Sequence, residues 1–154
     1  MNNRIIYLLS AAMLFMIACS SEKQESDPVL AQYYSLKDAL VDTNAATAAK
    51  AAVALGEVAR KTPGMEQVGD YATTIAETDN VEAQRETFEL LSMAVYEAIT
   101  AGNPYGETVY VQFCPMAFDN KGAFWLSSNE EIFNPYFGDK MLKCGVVQET
   151  ISGL

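Results

Sequence analysis

The segment Asp27-Pro28-Val29-Leu30-Ala31-Gln32-Tyr33-Tyr34-Ser35-Leu36-Lys37-Asp38-Ala39-Leu40-Val41-Asp42-Thr43-Asn44 decides the fold class. Val29, Tyr33, Leu36 and Leu40 recur at spacings of four, three and four, the period that lines one face of an α-helix. Asp27 suits the N-cap, where a carboxylate accepts bonds from free backbone N–H groups, and Pro28 suits the first turn, where its missing donor costs nothing. The spacing predicts a helix over 28–42, and Asp42-Thr43-Asn44 offers capping chemistry for a second.

Toward the C-terminus the same period continues. Ala48, Ala52, Leu55 and Ala59 predict a helix over 44–61, and its small side chains should let a neighbouring helix approach closely. Thr62-Pro63-Gly64 breaks the pattern, and Met65, Val68, Ala72 and Ile75 resume it over 64–78. After the cap-like Thr78-Asp79-Asn80, Phe88, Leu91, Val95 and Ala98 mark the inward stripe of a helix over 81–101 that Gly102-Asn103-Pro104 ends. Four helices joined by short loops imply an antiparallel four-helix bundle.

From Thr108 the period changes to two: Val109, Val111 and Phe113 alternate with Tyr110 and Gln112, and Asp119-Asn120-Lys121-Gly122 precedes Ala123-Phe124-Trp125-Leu126. This reads as a small β-hairpin. The series of calcium ligands that Asp119 would begin is not continued, so the segment is read as a turn. Asn134-Pro135-Tyr136-Phe137-Gly138 is a further turn, leading into one or two helical turns over 139–144. The fold class expected is mainly α, an antiparallel four-helix bundle with a small C-terminal β-hairpin and an irregular loop.

Toward the N-terminus, Arg4 leads into an apolar run over 5–18 that lacks charged residues and is short for a membrane span. The run ends at Met16-Ile17-Ala18-Cys19, a pattern resembling a lipobox with Met16 where Leu is commoner. Residues 1–18 are therefore read as a cleaved lipoprotein signal peptide and Cys19 as the lipidated first residue. Two or more acyl chains would anchor it durably, because each buried methylene contributes about 0.8 kcal/mol. Residues 19–27 form a polar tether, and 28–154 a single domain in the bacterial cell envelope, facing the periplasm or the exterior. The membrane is thus a partner through the N-terminal lipid.

With Arg4 removed by cleavage, 9 basic and 20 acidic side chains remain, a formal charge of −11. That balance disfavours nucleic acid and anionic lipid as partners and suits cations. The chain contains no histidine, which excludes Ser-His and Cys-His nucleophile pairs and imidazole metal sites. Glu130, Glu131 and Asp139 are the carboxylates nearest to acid–base candidates, but no nucleophile, phosphate loop or cofactor motif accompanies them. The protein is read as a non-enzyme with no catalytic residue.

Two cysteines remain beside Cys19, each close to a methionine: Cys114-Pro115-Met116 and Met141-Leu142-Lys143-Cys144. Residues two apart on a strand, or three apart on a helical turn, share a face, so each pair can present two sulfurs together. Two thiolates and two thioethers are a soft donor set that selects Cu(I), with Ag(I) as its analogue. The alternative is a Cys114–Cys144 disulfide with Met116 and Met141 as packing residues, as befits an exported chain. It would contribute on the order of 3 to 4 kcal/mol by constraining the unfolded state. Phe113, Phe118, Phe124, Trp125, Phe133, Tyr136 and Phe137 crowd the same region, where they would pack the loop and shield sulfur from water.

Four segments occur in order that resemble the DUF3347 family: Cys114-Pro115-Met116-Ala117, Lys121-Gly122-Ala123-Phe124-Trp125-Leu126-Ser127, Asn134-Pro135-Tyr136-Phe137-Gly138 and Lys140-Met141-Leu142-Lys143-Cys144-Gly145. The helical start at Tyr33-Tyr34-Ser35-Leu36-Lys37-Asp38-Ala39-Leu40 is similar too, so the likeness runs from about 29 to 151. Members of that family resemble lone exported bacterial proteins or occur fused to periplasmic adaptor subunits of copper and silver efflux systems. The resemblance implies a heavy-metal role and an efflux adaptor or other envelope protein as partner. Relatives often carry His just before the Cys-Pro-Met segment, where this chain has Phe113. The expectation is therefore a lipid-anchored protein that binds Cu(I) or Ag(I) through Cys114, Met116, Met141 and Cys144, for buffering or for transfer to an efflux system. The alternative is a non-metal interaction module stapled by a Cys114–Cys144 disulfide.

Overall fold

The structure, a computed structural model, describes residues 27–101 and 105–153. The signal peptide, Cys19, the tether before Asp27 and the Gly102-Asn103-Pro104 stop lie outside the described residues. The chain is mainly helical with a small three-stranded antiparallel sheet. Helices α1 (Pro28–Val41), α2 (Ala45–Ala59), α3 (Glu66–Ala76) and α4 (Val81–Thr100) are followed by β1 (Val109–Cys114), the short helical segment α5 (Ala117–Asn120), β2 (Ala123–Ser127) and β3 (Val146–Ile151). Among the described residues no helix is long and apolar enough to cross a membrane.

The caps form as their chemistry dictates. The Asp27 carboxylate accepts from the backbone N–H groups of Val29 at 2.8 Å and Leu30 at 3.3 Å. Asn44 Oδ1 accepts from Thr47 N at the start of α2, and Asn80 Oδ1 from Glu82 N and Ala83 N at the start of α4. Each such cap is worth about 1 kcal/mol. The inward stripes are buried as their spacing implies, from Val29, Tyr33, Leu36 and Leu40 on α1 to Val68, Ala72 and Ile75 on α3. On α4 the stripe ends on Ile99, while Ala98 is only half-buried. The alanine-rich face of α2 brings α3 close: a Cβ added at Gly56 would lie 3.6 Å from the Ala72 Cβ.

Tyr33 joins α1 to α4 and to the sheet. Its ring stacks on Phe88 at 5.2 Å, its hydroxyl lies 2.7 Å from Ser92 Oγ, and it accepts from Leu126 N at 3.0 Å. Burial pushes this phenol well above its ordinary range, so it stays neutral.

The C-terminal part corrects the expectation of a simple hairpin. Strands β1 and β2 do pair antiparallel, from Tyr110 opposite Ser127 to Cys114 opposite Ala123. A third strand, β3, flanks β1 on its other side, giving the order β2-β1-β3. The connection between β1 and β2 is not a tight turn either: Phe118, Asp119 and Asn120 have φ of 50°, 57° and 66°. The register against β3 shifts between Val111 and Gln112, where Gln148 is the extra residue on β3. Val111 and Gln112 are both buried, Gln112 against the carbonyls of residues 129–131, so the inside–outside alternation read from sequence does not hold there. Val146, Val147, Thr150 and Ile151 carried a β-branched signal for β3, but the strand lies at the sheet edge and is largely exposed, so no inside–outside alternation marks it. The segment 139–144 holds a single 3₁₀ turn, Gly138–Lys140.

Candidate functional site

Cys114 closes β1 and is fully buried, whereas Cys144 lies in the turn that leads into β3 and is half-buried. Because Phe113 pairs with Val146, the chain just before β3 must pass beside the end of β1. The register therefore brings the two cysteines together, with Sγ atoms 2.9 Å apart. Close passage needs the glycine that follows, since a Cβ at Gly145 would lie 2.9 Å from the Trp125 ring and 3.1 Å from the Phe113 carbonyl oxygen.

Sulfurs joined in a disulfide are about 2.05 Å apart. Two thiolates holding one metal at about 2.3 Å are about 3.8 Å apart in tetrahedral geometry and about 4.6 Å apart when they alone hold it in a line. The observed 2.9 Å lies between these, so closing the disulfide needs about 1 Å of movement and admitting a metal needs about 1 to 2 Å. The bond from Cys114, then burial, pushes the Cys144 thiol up from its ordinary 9.0 to about 11. Beside Cys114 the Cys144 thiol resists ionising, and a metal that bound it would have to displace its proton.

Asn134, fully buried, fixes the backbone of Cys144. Its Nδ2 donates to the Cys144 carbonyl at 2.7 Å, and its Oδ1 accepts from Tyr136 N at 2.8 Å and Phe137 N at 3.3 Å. Its own N–H donates to the Leu142 carbonyl at 2.9 Å, closing residues 134–144 into a ring. Arg85 on α4, also buried, ties this ring to the helices: Nε donates to the Pro135 carbonyl at 2.8 Å and Nη2 to the Leu40 carbonyl at 3.1 Å. Sequence reading marked 134–138 as a turn but singled out neither residue. An asparagine before proline is a turn signal, while nothing in the sequence distinguishes Arg85 from a surface arginine.

The methionines lie elsewhere in the same region. Met116, 46% exposed, and Met141, half-buried, line one open groove of about 500 Å³ walled by Phe118, Tyr136 and Phe137. The thiols are not among the residues that line it. The structure thus joins Cys114 to Cys144 and puts Met116 and Met141 in the lining of one groove that neither cysteine lines. Of the aromatics, Trp125 and Tyr136 are buried and the others half-buried, and Tyr136 links Phe88, Phe118 and Trp125. Glu130, Glu131 and Asp139 are all exposed, and Glu131 pairs with Lys143 at 2.6 Å. Among the described residues no three cysteine, aspartate or glutamate side chains gather as they would around a metal ion.

A family model described as a protein of unknown function (DUF3347) matches residues 29–106. The chain belongs to the DUF3347 family. The DUF3347 match spans the four long helices and stops before β1, so Cys114, Met116, Met141 and Cys144 lie beyond it. No curated protein and no solved structure matches the chain.

Proposed function

We propose that this DUF3347 protein is an exported lipoprotein, anchored to the bacterial cell envelope through Cys19, that binds Cu(I) or Ag(I) without catalysing a reaction. Its long helices, each packed on the next through short reversing connections, form an antiparallel four-helix bundle that carries the sulfur-bearing sheet. The observation that carries the reading is the contact between Cys114 and Cys144 at 2.9 Å beside a groove holding Met116 and Met141. Thiolates supply most of the affinity, and the thioethers are further soft donors that hard cations would not use. The bound ion is buffered or passed by ligand exchange to an efflux adaptor, a step suggested by family resemblance.

The test is an anaerobic titration of the full chain in detergent with Cu(I) against a competing chelator, after free thiols are counted, repeated with Cys114→Ser and Cys144→Ser. The expected result is tight binding by the reduced chain that both substitutions abolish. A reduced chain that takes up no Cu(I) overturns the reading. The second reading, an interaction module stapled by a Cys114–Cys144 disulfide, is favoured by the same contact, since it needs so little movement to close. It predicts no free thiols in the protein as isolated and no response to the metal.

A further inference from the structure

Resting on the cation-binding reading above, we infer that the four sulfurs form two stations rather than one: a thioether site made by Met116 and Met141 in the groove, and a thiol site made by Cys114 and Cys144 outside its lining. The two pairs face different surroundings: Met116 and Met141 line the groove, and neither cysteine does. Cys114 is 0% exposed, whereas Met116, two residues on, is 46% exposed. Between them β1 ends and Pro115 turns the chain. The turn is held by three successive left-handed residues, Phe118, Asp119 and Asn120, a conformation that costs roughly 1–2 kcal/mol per residue. It sets Phe118 edge-on to Tyr136 at 5.2 Å and leaves Met116 in the lining of the groove that Met141 also lines.

The chemistry of the two stations differs accordingly. Thioethers are neutral and soft, and they bind Cu(I) or Ag(I) without losing a proton. The charged side chains on the groove are Glu82, Asp119 and Lys140, with Glu82 engaged by Arg85 at 3.0 Å and Lys140 at 3.9 Å. An ion arriving there is held weakly and remains open to exchange. Passing to the cysteines, it breaks its bonds to the thioethers and forms two bonds to thiolates, while the two thiols release two protons to water. No electron moves. The groove is the entry and exit point, and the thiol pair is the store.

Ag(I), which air does not oxidise, is the probe. Calorimetry and the methyl signals of methionine are followed in the reduced full chain, in C114S/C144S, in M116L/M141L, and in the native chain whose cysteines diamide has oxidised to a disulfide. The reduced chain should take two ions. C114S/C144S and the oxidised chain should each take one, more weakly, with the Met116 and Met141 methyl signals shifted. M116L/M141L should keep the tight ion at unchanged affinity and lose the weak one, by at least about tenfold in affinity. The oxidised form keeps the test valid if the double serine variant fails to fold. The inference is overturned if the reduced chain binds a single ion that both double variants weaken, or if the oxidised chain binds none. Absence of any Ag(I) binding by the reduced native chain would instead remove the cation-binding reading on which the inference stands.

Discussion

The helical region and the C-terminal sheet differ in the balance of forces that hold them. From α1 to α4, stripes of Leu, Val, Ile and Ala at helical spacing bury apolar surface, and each helix satisfies its own backbone. Among the helices Gln84 and Arg85 are buried donors that reach across the chain to carbonyl groups, and from β1 onward such donors hold the loops in place. Gln112 Nε2 donates to the carbonyls of Asn129, Glu130 and Glu131 at 2.8 to 3.1 Å, Asn134 to Cys144, and the Tyr136 hydroxyl to Phe124 at 2.6 Å. Burial of a stripe is spread over many atoms and is tolerant. A buried donor serves particular acceptors, and its loss leaves them unsatisfied. The helical region is accordingly the stable support, and the sheet and its loops are where single atoms position sulfur.

The largest effect is expected where the two regions meet. Phe88→Ala removes a ring that stacks on Tyr33 and approaches Tyr136 at 6.1 Å, and it should cost about 3–5 kcal/mol in denaturant melts followed by circular dichroism. A cost near zero would mean that the helices do not depend on this joint. Arg85→Met keeps the apolar stem but strips the Pro135 carbonyl of its donor, with an expected loss of about 1–3 kcal/mol. In hydrogen exchange the amides of Tyr136 and Phe137 should open faster while those of α2 and α3 hold. Equal acceleration throughout would show that the regions unfold as one unit.

A smaller change is kinetic and belongs to the sheet alone. With its thiol raised from 9.0 to about 11, Cys144 in the reduced chain has less thiolate at pH 7.5, and the greater nucleophilicity of that thiolate compensates only in part. Alkylation by iodoacetamide should be roughly tenfold slower than for a free cysteine, and should keep rising with pH toward 11. A rate that levels off near pH 9 would mean the two sulfurs are not in contact. The smallest effect is Asn80→Ala, which removes the cap of α4 and should lower stability by about 1 kcal/mol with no change in the reactivity of Cys144. A changed alkylation rate in that variant would blur the division between the regions.

The sequence by itself determined the four long helices, because period, capping residues and the Thr62-Pro63-Gly64 break are local signals whose bonds close within a few residues. It also marked Cys114 and Cys144 as partners, since few other residues of soft chemistry compete with them. It did not reveal β3, whose exposed edge lacks alternation, or the burial of Gln112 against the carbonyls of residues 129–131. Nor did it reveal Arg85 and Asn134 as the clamps on the loop, because a buried arginine and a solvated one look alike until their partners, 50 and 10 residues away, are folded against them. Only the tertiary structure decided that the thiols touch while the thioethers face a separate groove. That division follows from strand register and from a left-handed turn after Pro115, and both are fixed by packing between segments distant in the chain.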